Sequence, residues 1–166
     1  MKKHPGSDLE AIRDDLRQSY VGHPWHGSSI TELLDGVDAE TAARRSIPNA
    51  HTIWELVLHM AGWTREAASR VRGGSPKSPP RDWPEQDAGG GEKAWRTALK
   101  ELEAAQNDLE RAVDDLESED LIRWIGDKRD PAAGTGVSVG TLIRGLLQHQ
   151  AYHQGQIAIL KRAAGR

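Results

Sequence analysis

The chain has 166 residues and no cysteine, and its 22 basic and 25 acidic residues leave a formal net charge of −3. This length predicts one domain over residues 1–166, and the lack of cysteine excludes disulfides, thiolate ligands and a cysteine nucleophile within it. The charge balance is not that of a nucleic-acid-binding protein, which usually has a strong basic excess. Because no long apolar run follows the basic start or occurs later, we expect no secretory signal, no membrane span and a cytoplasmic location.

Helical periodicity is strong in four segments, whereas strand signals are nearly absent. The predicted helices cover about residues 7–21, 52–72, 92–116 and 138–164. Capping-box patterns open the first two helices, and a short helix is predicted over residues 29–34. Amphipathic helices of these lengths predict an all-α, single-domain four-helix bundle with long connecting loops.

Two histidines interrupt the apolar face of the last predicted helix. That face contains Leu142, Leu146, His149, His153, Ile157 and Leu160. His149 and His153 are four residues apart, so both rings lie on one side of the helix, where both can reach one ion. A buried polar group without a partner costs about 1–3 kcal/mol, so these rings need hydrogen-bond acceptors or a metal. Core histidines bonded to Glu or to backbone carbonyls are the alternative.

His59 is the best candidate for a third ligand. It lies between Leu56 and Trp63, in the most apolar part of the second predicted helix. Three imidazoles with a fourth position open are typical of a catalytic zinc site. A core histidine with a hydrogen-bond partner is again the alternative.

Two residues lie one helical turn before these histidines. Glu55 precedes His59 and is a candidate catalytic group that orients a ligand or acts as a base, although its capping role also explains it. Gly145 precedes His149 and removes a side chain beside the candidate site. It leaves room for a substrate or water, unless it serves close helix packing.

Three further polar residues are candidates for the lining of a substrate pocket. His26 and His51 lie in the connection before the second helix, where either can line a pocket mouth. Gln156 follows His153 by three residues and can reach the edge of the site. For His26 and His51 a role outside the site is the simpler interpretation. Tyr152 is expected to pack on another face.

Three motifs together resemble the DinB-like superfamily of metal-dependent enzymes. They are residues 25–27 (WHG), 51–59 (HTIWELVLH) and 149–157 (HQAYHQGQI). The resemblance covers most of the chain, and its last two motifs are fairly specific together. It implies an up-down-down-up bundle in which His59, His149 and His153 hold a divalent metal. Helices two and three would then be parallel, and the loop over residues 73–91 would run the length of the bundle.

The resemblance also implies a reaction class. Better-understood members of the superfamily resemble transferases that add a low-molecular-weight thiol, such as bacillithiol or mycothiol, to a small electrophile. This chain has no cysteine, so the thiol must come from a cosubstrate. Imidazole ligands suit Zn, Ni or Fe without distinguishing them. The family name, which records DNA-damage induction, suggests a stress-response context.

Two alternative functions and one assembly remain open. A metal-bound hydroxide would instead give a hydrolase. If a fourth protein ligand filled the coordination sphere, the ion would only stabilise a non-catalytic binding module. Trp83 and Trp124 lie in long loops and mark either a homodimer contact or a pocket wall.

Overall fold

The computed structural model describes residues 7–77, 81–130 and 134–165. Residues 1–6, the basic start at which we expect no secretory signal, lie outside the described part. The fold is mostly helical: α1 Asp8–Val21, α2 Ile30–Leu34, α3 Ala39–Ala43, α4 Ile53–Val71, α5 Gly91–Asp114 and α6 Val139–Ala163. A small antiparallel sheet pairs β1 Trp124–Asp130 with β2 Thr135–Ser138, and 3₁₀ turns span Ala88–Gly90 and Ser118–Ile122. No helix in the described part combines the length and apolarity needed to cross a membrane.

The four long helices match the predicted ones to within two residues at each end. The capping box of α4 is confirmed: the Glu55 N–H donates to Thr52 Oγ1 at 3.1 Å, and Glu55 accepts from the Thr52 N–H at 2.8 Å. Helix α2 follows Ser29, whose hydroxyl accepts from the Glu32 N–H at 3.4 Å. Local capping chemistry therefore sets these starts.

Helix α3 was missed in the sequence, because five residues are too short to show an apolar period. Its start does carry a capping signal, since the Asp38 carboxylate accepts from the Thr41 N–H at 2.8 Å. Helix α3 contacts α4, and its Thr41 and Ala42 side chains are buried.

The mostly helical fold agrees with the all-α prediction, but no strand signal in the sequence indicated the small sheet before α6, where β1 and β2 pair. Ile125 pairs with Val137 and is the buried residue of β1, so the strand shows no apolar–polar alternation to find. A bulge interrupts the register between Ile125 and Asp130. Gly136 has φ +66°, and a Cβ there would lie 2.5 Å from the Arg129 backbone, so this crossing needs glycine.

Helices α4 and α5 contact each other along their length. Near their starts, the Trp54 and Trp95 rings lie 5.3 Å apart between centroids. Further along both helices, Arg72 donates to the Asp108 carboxylate at 2.9 Å. The contacts therefore advance in the same direction along α4 and α5.

Helices α1 and α6 show the same relation. Arg144 near the start of α6 donates to Asp8 at the start of α1, at 3.1 Å. Towards the other ends, Gln154 donates to Ser19 at 3.0 Å.

The buried core divides into two apolar clusters with polar side chains between them. One cluster joins α1 with the second halves of α4 and α5 and the first half of α6. The other joins α2 and the first halves of α4 and α5 to the end of α6. The buried polar residues between them are Ser19, His59, Thr64, Gln106, Gln150, His153 and Gln154. The candidate metal ligands thus lie in a polar layer at mid-height of the helices.

Candidate metal centre

Three histidines from α4 and α6 meet at one point. The Nε2 atom of His149 lies 3.0 Å from Nε2 of His59 and 2.9 Å from Nε2 of His153. Their candidate ligand atoms all lie within 4.8 Å of one another. His59 and His153 are buried, and His149 is half-buried. The structure therefore brings together the three residues that the sequence selected as ligands.

Two of the rings are oriented by oxygen atoms, which can only accept hydrogen bonds from them. The Nδ1 atom of His59 lies 2.6 Å from the backbone carbonyl oxygen of Asp82. The Nδ1 atom of His153 lies 2.7 Å from the side-chain oxygen of Gln156. Each Nδ1 must carry the proton to donate, so in a neutral ring each Nε2 keeps its lone pair for the shared centre.

The three rings are uncharged near neutral pH. Burial first, and then the neighbouring His153 and His59, lower the pKa of His149 to about 4, against the opposing charge of Asp82. Burial also lowers the pKa of His59 and that of His153, against the opposing hydrogen bonds at their Nδ1 atoms. Neutral imidazole is the form that binds a metal ion.

The donor set fits a divalent cation. His149 can place at most one proton on its Nε2, which cannot satisfy both neighbouring lone pairs fully. A cation at the centre would interact favourably with all three. Two imidazole nitrogens at the usual zinc distance of about 2.0–2.1 Å would lie about 3.3 Å apart in tetrahedral geometry, close to the two separations from His149 to His59 and His153. Three protein nitrogens would leave a fourth position for another ligand.

A loop from residue 81 to residue 87 closes one side of the cluster. Besides its carbonyl bond to His59, Asp82 accepts a hydrogen bond from Trp63 Nε1 at 2.7 Å. The Thr52 hydroxyl and the Gln86 side-chain oxygen lie 2.7 Å apart, and Gln86 donates to the Ala43 carbonyl at 3.2 Å. Helices α3 and α4 thus hold the loop in place beside the histidines.

Trp83 lies between two imidazole rings. Its centroid is 3.5 Å from that of His51 and 3.9 Å from that of His59, with interplanar angles of 2° and 5°. The indole therefore shields one face of His59 from water. Of the two alternatives for Trp83, this position is that of a wall of the site.

Glu55 is placed in the capping box and at the outer end of this ring stack. Its carboxylate lies 2.9 Å from Arg45 Nη2 and 3.2 Å from His51 Nδ1. Burial alone would raise the pKa of Glu55, but the Thr52 N–H, His51 and Arg45 together hold it below its ordinary value. These contacts account for the carboxylate, and the candidate catalytic role stays a prediction.

A cavity of about 480 Å³ opens beside the cluster, between α4, α6 and the β-hairpin. His59 and His149 border it at one end. Its middle is apolar, with Trp63, Ala67 and Leu146 among the lining residues. The volume lies in the range of small-molecule sites, about 300–1,000 Å³.

The remaining predicted pocket residues are dispersed. Gly145 lines this cavity, and a Cβ added there would meet nothing within 4 Å. His26 is exposed and lines surface grooves on another side of α6. Tyr152, expected to pack, is 65% exposed, and Trp124 is 71% exposed on β1.

The sequence analysis missed the two contacts of Asp82, and it placed Gln156 at the edge of the site without identifying its contact to His153. The contact from Asp82 to His59 is made by a backbone carbonyl, which any residue type supplies, so no residue pattern could reveal it. Gln156 had the right spacing, but only the structure shows which atom it reaches.

No curated protein matches the sequence. No solved structure matches it either. The family model of the DinB superfamily matches residues 25–157, which include all three clustered histidines. The chain therefore belongs to the DinB superfamily.

Proposed function

We propose that the chain is a divalent-metal-dependent enzyme that transfers a thiol cosubstrate to a small electrophile. The observation that carries the proposal is the meeting of three neutral imidazole Nε2 atoms beside an open cavity. Zinc, nickel and iron all suit such a donor set. Membership of the DinB superfamily supports the metal, and the cavity supports a small-molecule substrate.

The proposal includes the up-down-down-up arrangement of the four long helices. It is supported by the contacts that advance together along α4 and α5 and along α1 and α6. Between α4 and α6 the order reverses, since His59 meets His153 while Thr64, further along α4, bonds to the earlier Gln150. In this arrangement the one candidate ligand of α4, His59, faces the two of α6, His149 and His153.

A metal ion bound by imidazoles supplies a Lewis acid that favours the thiolate over the thiol at neutral pH. The chain's own residues prepare for this. Asp82 and Gln156 hold His59 and His153 in the orientation that directs Nε2 inward. Trp83 covers one face of His59, and the cavity leaves the side towards Gly145 open to a substrate.

The test is elemental analysis of the untagged chain beside two variants. We expect about one divalent metal per chain in the parent, and loss of the metal in a His149→Ala/His153→Ala double variant. His26→Ala is the matched control, because His26 is exposed and lies away from the cluster. That control should keep the metal.

Activity is then assayed with a panel of low-molecular-weight thiols and a chromogenic aryl halide. The metal-loaded parent and His26→Ala should accelerate thioether formation, and the double variant should not. If the parent binds metal but accelerates thioether formation with none of the thiols, the transferase proposal is contradicted. The ion would then have a structural role. A parent without metal after reconstitution, whose stability equals that of the double variant, would make the histidines core residues.

A further inference from the structure

The cavity beside the histidines is an elongated trough. On α4 its lining runs from His59 to Arg70, and on α6 it runs from His149 back to Thr141. Eight residues of helix between Thr141 and His149 correspond to about 12 Å. The metal-binding end and the far end are thus separated by roughly the length of a small elongated molecule, with apolar side chains between them.

Two arginines line the end away from the histidines. Arg70 is 1% exposed and is held by the fold: it donates to Glu66 at 2.8 Å and to the carbonyl of Lys77 at 2.9 Å. It also donates to the Gly134 carbonyl at 3.3 Å, which ties the hairpin to α4. Arg70 is therefore engaged in structure.

Arg129 differs from Arg70. It lies on β1 and lines the cavity, yet within residues 7–77, 81–130 and 134–165 its guanidinium makes no hydrogen bond or ion pair. The two carboxylates that line the cavity have partners: Asp82 is bonded to Trp63, and Asp130 has an interaction of its own. At the end of the cavity away from the histidines, Arg129 is therefore the arginine that, within the described part, has its guanidinium left for a ligand.

We propose that Arg129 binds an anionic group, of the carboxylate type, on the substrate or cosubstrate that occupies this trough. The apolar middle takes the body of the molecule, and its reactive end lies at the histidines. This inference rests on the proposed function for the reactive end alone. Guanidinium suits a carboxylate because its planar N–H groups match the two oxygens.

The test uses two probes that differ at one end. 8-Mercaptooctanoate carries a thiol, an apolar chain and a carboxylate, whereas 8-mercapto-1-octanol has a neutral hydroxyl in place of the carboxylate. Both are titrated calorimetrically into the zinc-loaded chain at low salt. We expect the carboxylate probe to bind about tenfold more tightly, the effect of one charge-assisted contact.

Two pairs of variants assign that preference. Arg129→Gln should bring the affinity ratio of the probes close to one, and Lys128→Gln, its neighbour on β1 that does not line the cavity, should leave the ratio unchanged. Gly145→Leu should weaken both probes at least about tenfold by filling the trough. Gly155→Leu, the same change at an exposed position of α6 with open space around its Cβ, should weaken neither.

The inference is overturned if Arg129→Gln and Lys128→Gln change the ratio equally, if neither changes it, or if Gly145→Leu leaves binding intact. The same titrations on the chain treated with a chelator separate it from the proposed function. If the chain binds no zinc but the ratio still depends on Arg129, the anion site stands and the metal proposal fails. If zinc binds and the affinity ratio does not depend on Arg129, the metal proposal stands and the anion site fails.

Discussion

The side of α4 that faces α5 is apolar, whereas the side that faces α6 is polar. Towards α5, Trp54 packs on the fully buried Trp95, and the contact is apolar and close. Towards α6, the same helix presents His59 and Thr64, which meet histidine and glutamine side chains, and a cavity follows. One helix thus joins a packed interface to a polar one.

The difference shows how stability and chemistry are separated in this fold. Close apolar packing stabilises the helices in proportion to the area that it removes from water. The polar side gives up part of that packing to place three imidazoles beside open space. Changes on the α5 side should therefore affect folding, and changes on the α6 side should affect ligand binding.

The largest effect is expected from Trp95→Ala, on the packed side. The indole is 0% exposed and its Nε1–H donates to the Val37 carbonyl at 2.7 Å. We expect the free energy of unfolding to fall by about 3–5 kcal/mol, measured by urea denaturation. The metal content of the folded fraction should not change.

Trp95→Phe is the comparison variant, because it keeps one aromatic ring while it removes the donor to Val37 and the smaller ring of the indole. It should cost about 1–3 kcal/mol, the penalty of a carbonyl left without its partner. Loss of metal in a folded Trp95 variant would show that the two sides of α4 are coupled, against the comparison above.

An intermediate effect is expected from Gln156→Leu, on the polar side. The variant removes the acceptor that orients His153 through Nδ1. Metal affinity should fall about 10–100-fold, measured by competition with a chromophoric chelator, since groups that orient a ligand usually contribute this much.

The matched control is Gln148→Leu, the same change at an exposed position of the same helix. Its metal affinity should equal that of the parent. Equal losses in both variants would mean that the orienting contact to His153 contributes nothing.

The smallest effect is expected from Gly145→Ala. A Cβ at this position meets nothing within 4 Å, so the helix should gain stability of about 1 kcal/mol, the propensity difference between the two residues. Gly155→Ala on the same helix should give a similar gain, because its surroundings are equally open. Thermal unfolding of both chains measures this, and a loss at position 145 alone would mean that the cavity is closed there.

The sequence was most informative where a pattern repeats. Trp95, Leu102 and Leu109 are seven residues apart, a spacing typical of one face of a helix, and all three are buried on α5. The histidines stood out because they break such a face with polar rings. A polar residue is easy to recognise when the apolar residues around it recur at helical spacing.

Other parts of the site lie in segments without a repeating apolar pattern. Strand β1 buries only one of its seven residues, so its pairing depends on backbone hydrogen bonds and glycine conformations and not on an apolar pattern. The position of Arg129 beside the cavity depends on that hairpin. The loop that carries Asp82 and Trp83 has no period either, and its contacts are set by its anchoring to α3 and α4.

The loop from α4 to α5 has a consequence for how the chain tolerates change in length. Lengthening a flexible loop costs little folding free energy, about 0.6 kcal/mol for each doubling. An insertion between Gly73 and Asp82 would therefore leave the helices folded while shifting the carbonyl that orients His59. The range of chain lengths that the fold tolerates is therefore wider than the range that keeps the Asp82 carbonyl within hydrogen-bond distance of His59.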